Sequence, residues 1–471
     1  MSGAKPKIKF GTDGWRGIIS EDFTFENVRL VAQAIADYYI RQGKGGSRKL
    51  KIAVGYDTRF LSGKFAEAVS EVLSDNGIDV LLSDRAVPTP TLSFAVKEKH
   101  LTAGVMITAS HNPGKYNGIK IKTASGGAAG LDVTRQVERL ILKSAPKGKR
   151  QTGRIEKVDL IKDYVKFLRR YIDFKKLKNA KFRILVDAMH GSGNSFLAQV
   201  LKGTKIKLEF LRADINPSFG GLRPEPVLEN LKVTQDKLKK QKFDLGLVLD
   251  GDADRIAAFA GNGEFLNPQK VLGLLMLHLR QGRRMRGGVV KTVVGTNLID
   301  KITGALGIKL YETAVGFKYI SELMLKKDIF VGGEEAGGMG FKNYIPERDG
   351  SLAGLLLLEM MVYRKKSILK ILNDMEQEFG RYYYLRDELK LASMGKIRLD
   401  HFRNMKKILG QEVIQLNDLD GLKFICRDES WLVLRASGTE PIVRIYAESK
   451  SLARSKKMLA FGKKLILKHA V

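Results

Sequence analysis

Leu245-Gly246-Leu247-Val248-Leu249 runs directly into Asp250-Gly251-Asp252-Ala253-Asp254-Arg255, and the chain turns apolar again over Ile256–Phe259. A short apolar run of this length reads as a buried strand, and the polar break with its second apolar run reads as a loop and another strand. Three carboxylates fall at alternate positions of the loop, so in an extended turn they can face one centre. Like charges this close repel unless a cation sits between them. Hard oxygen ligands suit Mg²⁺, which keeps further positions for water or a phosphate oxygen. A calcium-binding helix–loop–helix would need a Gly-containing loop and a later Glu flanked by helices, whereas Ile256–Phe259 is strand-like.

The same alternation extends outward along the chain. Lys51–Tyr56, Ala103–Thr108, Arg183–Val186, Val289–Val294, Ile329–Gly332, Trp431–Leu434 and Ile442–Tyr446 have strand character. Helical patterns cover Glu26–Arg41, Gly63–Asn76, Asp159–Tyr171, Ser192–Leu201, Pro268–Arg280, Ser351–Tyr363 and Leu452–Leu467. Strands alternating with helices argue an α/β architecture. Ser144–Arg154, Gly261-Asn262-Gly263 and Asn373–Leu385 read as breaks between domains. Several early strands end in Asp and a polar or Gly-rich loop, a pattern compatible with related domains.

The 471 residues are enough for about three or four domains. A formal charge of +31 would suit nucleic acid, an acidic surface or anionic small substrates. The basic residues are scattered, however, and the densest clusters, Lys147–Arg150 and Arg283–Arg286, are short. No RNA-binding aromatic signature or zinc-finger spacing accompanies them, so a nucleic-acid partner is not expected. The single cysteine, Cys426, excludes an intramolecular disulfide and a Cys-based zinc site, and fits a reducing compartment. No signal-peptide core opens the chain, and the apolar runs Val271–Leu279 and Leu352–Tyr363 fall short of the roughly 20 residues of a membrane span. A cytoplasmic protein with no membrane partner is expected.

Three further segments carry chemistry. Thr108-Ala109-Ser110-His111-Asn112-Pro113 follows a strand and places a hydroxyl beside an imidazole, which reads either as a nucleophile or as an Asx-type turn. Lys120 lies ten residues beyond Ser110, within reach through a hairpin. Gly332–Gly338 brackets Glu334 and Glu335 with glycines, which reads either as acceptors for sugar hydroxyls open to close approach or as a β-turn with solvated acids. Arg435-Ala436-Ser437-Gly438-Thr439-Glu440-Pro441 follows a strand and combines a guanidinium, two hydroxyls and a free backbone N–H, which reads either as a phosphate cradle or, at Gly438-Thr439, as a tight turn.

Together with Phe10-Gly11-Thr12-Asp13-Gly14-Trp15-Arg16-Gly17, these loops resemble, in order and over essentially the full length, the α-D-phosphohexomutases of the phosphoglucomutase/phosphomannomutase group. The resemblance implies three related α/β domains with mixed sheets and a C-terminal α+β domain similar to the TATA-box-binding protein, set around a central cleft. The expected domains are 1–150, 151–262, 263–376 and 377–471. It implies that Ser110 carries the phosphoryl group and that Asp250, Asp252 and Asp254 hold Mg²⁺ with a phosphate oxygen on Ser110. Lys120 matches the family's general base or acid, a role that asks for a lowered pKa, and His111 the histidine beside the phosphoserine. Arg16 and Arg255 add positive field. Glu334 matches the sugar-binding glutamate. Arg435, Ser437, Gly438 and Thr439 match the loop that grips the non-transferring phosphate, and Lys318, in Thr313–Lys318, resembles another substrate-facing residue.

The implied reaction interconverts hexose 1-phosphate and hexose 6-phosphate, of glucose and/or mannose, through a 1,6-bisphosphate. Glucose 1,6-bisphosphate would be the activator, and the protein would be a monomer or homodimer acting on phosphorylated hexoses. Two departures bear on the sugar: Ala336 stands where many relatives have Ser, and Gly338 where some have His. A phosphoglucosamine mutase is the alternative, although Glu335 and Trp15 differ from that group's usual loop and signature. An alternative of another class is a catalytically silent relative that binds sugar phosphates or polyanions, which would be expected to have lost the serine, an aspartate or the lysine.

Overall fold

The computed structural model describes residues 8–11, 13–43, 49–141, 152–194, 196–391, 399–437 and 441–469. Gly438, Thr439 and the Lys147–Arg150 cluster lie outside the described residues. Four sheets organise the described chain, and three share one plan. A first strand pairs in parallel with a second and a third, and the third returns through a tight loop into an antiparallel fourth. The spatial order is second, first, third, fourth.

In the first sheet these strands are Lys51–Tyr56, Asp79–Ser83, Ala103–Ile107 and Tyr116–Thr123. In the second they are Arg183–Asp187, Lys207–Leu211, Leu245–Leu249 and Ile256–Ala260. In the third they are Gly288–Thr292, Leu310–Thr313, Ile329–Gly333 and Met339–Phe341. The likeness between strand endings in the sequence therefore corresponds to a repeated topology. Every residue of Ala103–Ile107, Leu245–Leu249, Ile256–Ala260 and Ile329–Gly333 is buried, as expected of strands covered on both faces.

The fourth sheet is wholly antiparallel, ordered Tyr383–Lys390, Ile442–Ser449, Trp431–Ala436, Leu422–Cys426, Gln411–Asn417, Lys407–Ile408. Helix Leu452–His469 supplies Met458 and Ile466 to its core. The architecture is thus three α/β units with mixed sheets and a C-terminal α+β unit. Helices begin where the sequence supplies caps: Thr24, Asn267, Asp349 and Ser367 each accept the N–H three residues on.

Two details depart from the sequence reading. Ile155–Val158 adds in parallel to Asp79–Ser83, so the first sheet extends past the expected break after residue 150. The helix expected over Pro268–Arg280 is regular to Leu277 and then widens across His278–Gly282, where the Arg283 N–H reaches back five residues to the His278 carbonyl.

The second and third sheets share one core, joined by Tyr164 and Leu168 of helix Ile161–Tyr171. The fourth unit meets the third through a small cluster containing Val293, Val294, Trp431 and Tyr446. Lys423 Nζ donates to the Val293 carbonyl (2.6 Å), and Asn297 N–H to Glu448 Oε1 (2.8 Å), across the same face. In each of the three α/β units the loop joining the last two strands of the plan leaves the carboxyl end of a central strand, where ligands of open α/β sheets bind.

Candidate active site

The loops 108–115, 250–255 and 334–338 occupy equivalent places in three sheets and meet. Ile256 N–H donates to the Gly337 carbonyl (3.1 Å), and Arg255 bridges to Gly338. Gly251 packs so closely on the serine loop that a Cβ there would lie 2.5 Å from the Ser110 carbonyl oxygen.

Ser110 is buried and takes the left-handed backbone region, φ 52°. Its Oγ donates to Asp250 Oδ2 (3.1 Å), and His111 Nδ1 lies 3.5 Å from that Oγ. Burial, reinforced by Arg255, Arg16, Arg223 and Arg386, pushes the His111 pKa well below its ordinary value, so the imidazole is neutral. Arg16 Nη1 donates to Asn112 Oδ1 (2.6 Å) on the same loop.

Asp250, Asp252 and Asp254 are fully buried, and each offers an oxygen to a group whose members lie within 4.8 Å of one another. Asp252 Oδ1 and Asp254 Oδ1 have no hydrogen-bond partner among the described residues. Buried carboxylate oxygens without partners are costly unless a cation takes them, so the donor set fits a hard divalent ion. Burial, with the charges of Asp254 and Asp252, holds the Asp250 carboxyl well above its usual range. Burial also opposes ionisation of Asp252, but Lys120 and Thr89 override it and hold that carboxyl low. Thr89 Oγ1 donates to Asp252 Oδ2 at 2.5 Å.

The antiparallel return places Lys120 opposite Met106 and sends its side chain into this cluster. Lys120 Nζ reaches Asp252 Oδ2 (2.8 Å), Asp13 Oδ2 (2.9 Å) and Asp254 Oδ2 (3.0 Å). The lowered pKa expected for this lysine is not found. Burial pulls the value down, but Asp13, Asp252 and Asp254 outweigh it and hold it above the ordinary value.

Glu334 is nearly buried, and burial raises its carboxyl to about 7, with Arg348 acting the other way. Arg348 escaped the sequence reading. Its guanidinium pairs with Asp13, with Asp254 Oδ2 (2.8 Å) and with Glu334 Oε2 (3.4 Å), touching all three α/β units. Glu347 beside it pairs with buried Lys122 Nζ (2.5 Å). The space that a side chain at Gly338 would need is occupied by Arg348, whose Cδ lies 2.2 Å from an ideal Cβ there. Ala336 is half-buried on the same loop. Lys120 and Lys122 point one way from a buried strand, and that paired spacing was the available signal for this network. Asp13 sat in a quoted motif without an assigned role, and nothing local marks Arg348.

Of the fourth loop, the described residues Arg435 and Ser437 bond within the fourth unit. Arg435 Nε pairs with Asp420 Oδ2 (2.8 Å), and the same oxygen accepts the Val315 N–H (2.9 Å). Asp420 thus ties Arg435 to the segment leading to helix Phe317–Lys326, whose first turn carries buried Lys318. Burial lowers the Lys318 pKa. Ser437 N–H donates to the Ile442 carbonyl (2.8 Å), closing the base of the hairpin. Another residue to which the sequence assigned no role is Arg59, three residues past the strand Lys51–Tyr56; it lies beneath the Ser110 loop and donates to its carbonyls.

Comparison with known proteins agrees with this geometry. Residues 7–147, 162–263 and 267–379 match the models for phosphoglucomutase/phosphomannomutase alpha/beta/alpha domains I, II and III, and 391–461 match the C-terminal domain of that family. The chain is 31% identical over 462 residues to a phosphoglucomutase/phosphomannomutase of Thermococcus kodakarensis, covering 97% of this chain and 98% of that one. It is 28% identical to a phosphoglucosamine/phosphogalactosamine mutase of Sulfurisphaera tokodaii, over 94% and 95% of the two chains. A crystal structure from Thermus thermophilus, titled as a phosphomannomutase, superposes with a TM-score of 0.88 at 35% identity, covering 98% of this chain and all of that one. With four family domains in order and the serine, aspartate and glutamate loops meeting in one buried cluster, the chain belongs to the phosphoglucomutase/phosphomannomutase family of α-D-phosphohexomutases, which are isomerases.

Proposed function

We propose that the protein interconverts hexose 1-phosphate and hexose 6-phosphate, of glucose and/or mannose, with Ser110 carrying the phosphoryl group between the two positions. The observation that carries this reading is the bond from Ser110 Oγ to Asp250 Oδ2 at the edge of a buried three-carboxylate cluster.

Asp250, Asp252 and Asp254 would hold Mg²⁺. When bound, the ion supplies neutralisation of the charge on the phosphoryl oxygens. The chain's own groups do the rest. Ser110 Oγ accepts the phosphoryl group of a 1,6-bisphosphate and later gives it to the free hydroxyl of a hexose monophosphate. His111, neutral and beside Oγ, is placed to exchange the proton. Lys120 keeps its proton while Asp252 and Asp254 face it, so it serves as a fixed charge or acid, and as a base only when those carboxylates are neutralised by another partner. Arg16 and Arg255 add positive field at the phosphoryl group. Glu334 accepts from sugar hydroxyls, and Lys318, Arg435 and Ser437 grip the phosphate that is not being transferred. Ser110 is 1% exposed, which limits hydrolysis of the phosphoserine.

A phosphoglucosamine mutase is the second reading. The sugar loop presents Glu334 and Glu335 with no hydroxyl at Ala336, chemistry that suits an ammonium substituent as well as a hydroxyl. A relative carrying that activity in its name supports it. Purified protein with Mg²⁺ and trace glucose 1,6-bisphosphate, offered glucose, mannose and glucosamine phosphates, decides. Fastest turnover of a neutral hexose upholds the first reading, fastest turnover of glucosamine 6-phosphate the second, and no turnover of any of them contradicts both.

A further inference from the structure

Ser110 holds a backbone angle that L-residues rarely adopt, so other contacts must offset its cost. The compensation is concentrated in one buried guanidinium. Arg59 Nη2 donates to the carbonyls of Ser110 (2.5 Å) and Asn112 (2.7 Å), and Nη1 to those of Pro113 (2.9 Å) and Tyr116 (3.0 Å). The whole loop is folded around it. Asp57 fixes the guanidinium from behind, its Oδ2 lying 3.1 Å from Arg59 Nε. The same Oδ2 accepts from Thr108 Oγ1 (2.6 Å), and Thr108 Oγ1 in turn accepts the Ser110 N–H (2.8 Å). Both the N–H and the carbonyl of Ser110 are therefore set by the Asp57–Arg59 pair.

The outer face of the guanidinium is closed by the second α/β unit. The Phe219 ring lies 4.8 Å from Arg59 Cζ, and Phe219 itself is buried with φ 54°, a strained angle for a bulky residue. Gly114 of the serine loop abuts Pro217 and Ser218, where a Cβ would lie 2.8 Å from the Pro217 carbonyl oxygen. The loop is thus contacted by Arg59, on which Phe219 stacks, and, at Gly114, by Pro217 and Ser218.

We propose that Arg59, clamped by Phe219, is a positioning residue that sets the Ser110 backbone and so aims Oγ for phosphoryl transfer. The inference rests on the reading of Ser110 as the phosphoryl carrier. In that step the bond from a sugar oxygen of the bisphosphate to phosphorus breaks, a bond from Ser110 Oγ to phosphorus forms, and the Oγ proton ends on the departing sugar oxygen. Arg59 touches none of these atoms. Its effect is on geometry, where an error near 1 Å costs on the order of 100-fold.

The test uses the full-length protein and two variants. Arg59→Lys keeps the charge but cannot span four carbonyls, and Phe219→Leu keeps Arg59 but removes its stacking partner. Each is incubated with glucose 1,6-bisphosphate, the rate of Ser110 phosphorylation is followed by intact mass, and kcat and KM for the turned-over hexose phosphate are measured. The expected result is a roughly 100-fold slower phosphorylation and kcat for Arg59→Lys and about tenfold for Phe219→Leu, with KM within about threefold of wild type. A merely structural role would lower the amount of active protein without slowing phosphorylation of the molecules that remain folded. Phosphorylation of both variants at the wild-type rate, or loss that appears in KM with kcat kept, overturns the inference. If Arg59→Lys fails to fold, Phe219→Leu alone decides by the same criteria. Failure of the wild type to be phosphorylated at Ser110 would instead overturn the reading of function.

Discussion

Ser110 and Asp250 lie 140 residues apart in sequence and 3.1 Å apart in space, Oγ to Oδ2. Each stands in the loop that follows the third strand of the shared plan in its own sheet. Repetition of one topology thus delivers a candidate nucleophile and a candidate metal ligand to the same point, from two sheets that share no strand.

Thr89 supports the carboxylate cluster from the first unit. Its hydroxyl donates to Asp252 Oδ2 and its N–H to the Asp252 carbonyl (2.9 Å). Thr89→Val keeps the shape and removes the hydroxyl bond. It is expected to weaken Mg²⁺ activation about tenfold, as partners of metal ligands commonly do when lost, while KM for the sugar phosphate stays close to wild type. Activity titrated against Mg²⁺ measures this.

Gly338 leaves the space that Arg348 fills. Gly338→Ala forces that guanidinium away from Glu334, Asp254 and Asp13 or shifts the loop. Overpacking of this kind costs about 1–3 kcal/mol. Thermal unfolding is expected to show the loss of stability, and kcat/KM a larger fall than Ala336→Ser, at a half-buried position of the same loop, produces.

Much of this site was legible locally. The Asp250–Asp254 run, the Ser110 loop and the Glu334 loop, which the structure brings together, are each readable within a few residues, and each follows a readable strand; of the Arg435 loop, Gly438 and Thr439 lie outside the described residues. Arg348 and Arg59 were not legible, because their partners are set by tertiary contact: Arg348 joins residues from three units, and Arg59 binds carbonyls, which leave no trace in residue type. The expected lowering of the Lys120 pKa failed for the same reason, since Asp13 comes from a distant segment. The alternation of strands and helices placed the sheets but not the strand Ile155–Val158, which is short and largely exposed.

Glu334 gives a pH dependence with opposite signs in stability and activity. Its carboxyl titrates near 7 in the folded protein against an ordinary 4.5. A raised acid binds its proton more tightly when folded, so its contribution to stability is full below 4.5 and is lost as pH rises through about 7. If Glu334 accepts from sugar hydroxyls as proposed, its ionised form is the stronger acceptor, so kcat/KM is expected to rise up to about tenfold per pH unit below 7 and then level. Glu334→Gln should flatten both profiles, read by kinetics and by denaturant unfolding across pH 5–8.

Asp420 orients Arg435 while holding the Val315 N–H of the third unit. Asp420→Asn keeps an acceptor but removes the charge. A rise of roughly tenfold in KM with kcat less affected is expected, because the proposed grip of Arg435 on the non-transferring phosphate would contribute binding in ground and transition states alike. Steady-state kinetics with a hexose 1-phosphate test it.

The proposed mechanism requires that one phosphoryl group pass through Ser110. Radiolabelled glucose 1-phosphate, or whichever sugar phosphate turns over fastest, is mixed with protein, Mg²⁺ and unlabelled trace bisphosphate, and the label is followed. Label is expected on Ser110 and in the 6-phosphate and bisphosphate pools, with little free phosphate, and every transfer should be at least about 10³-fold slower in Ser110→Ala. Product formed at an undiminished rate by Ser110→Ala, or label released only as inorganic phosphate, would contradict it.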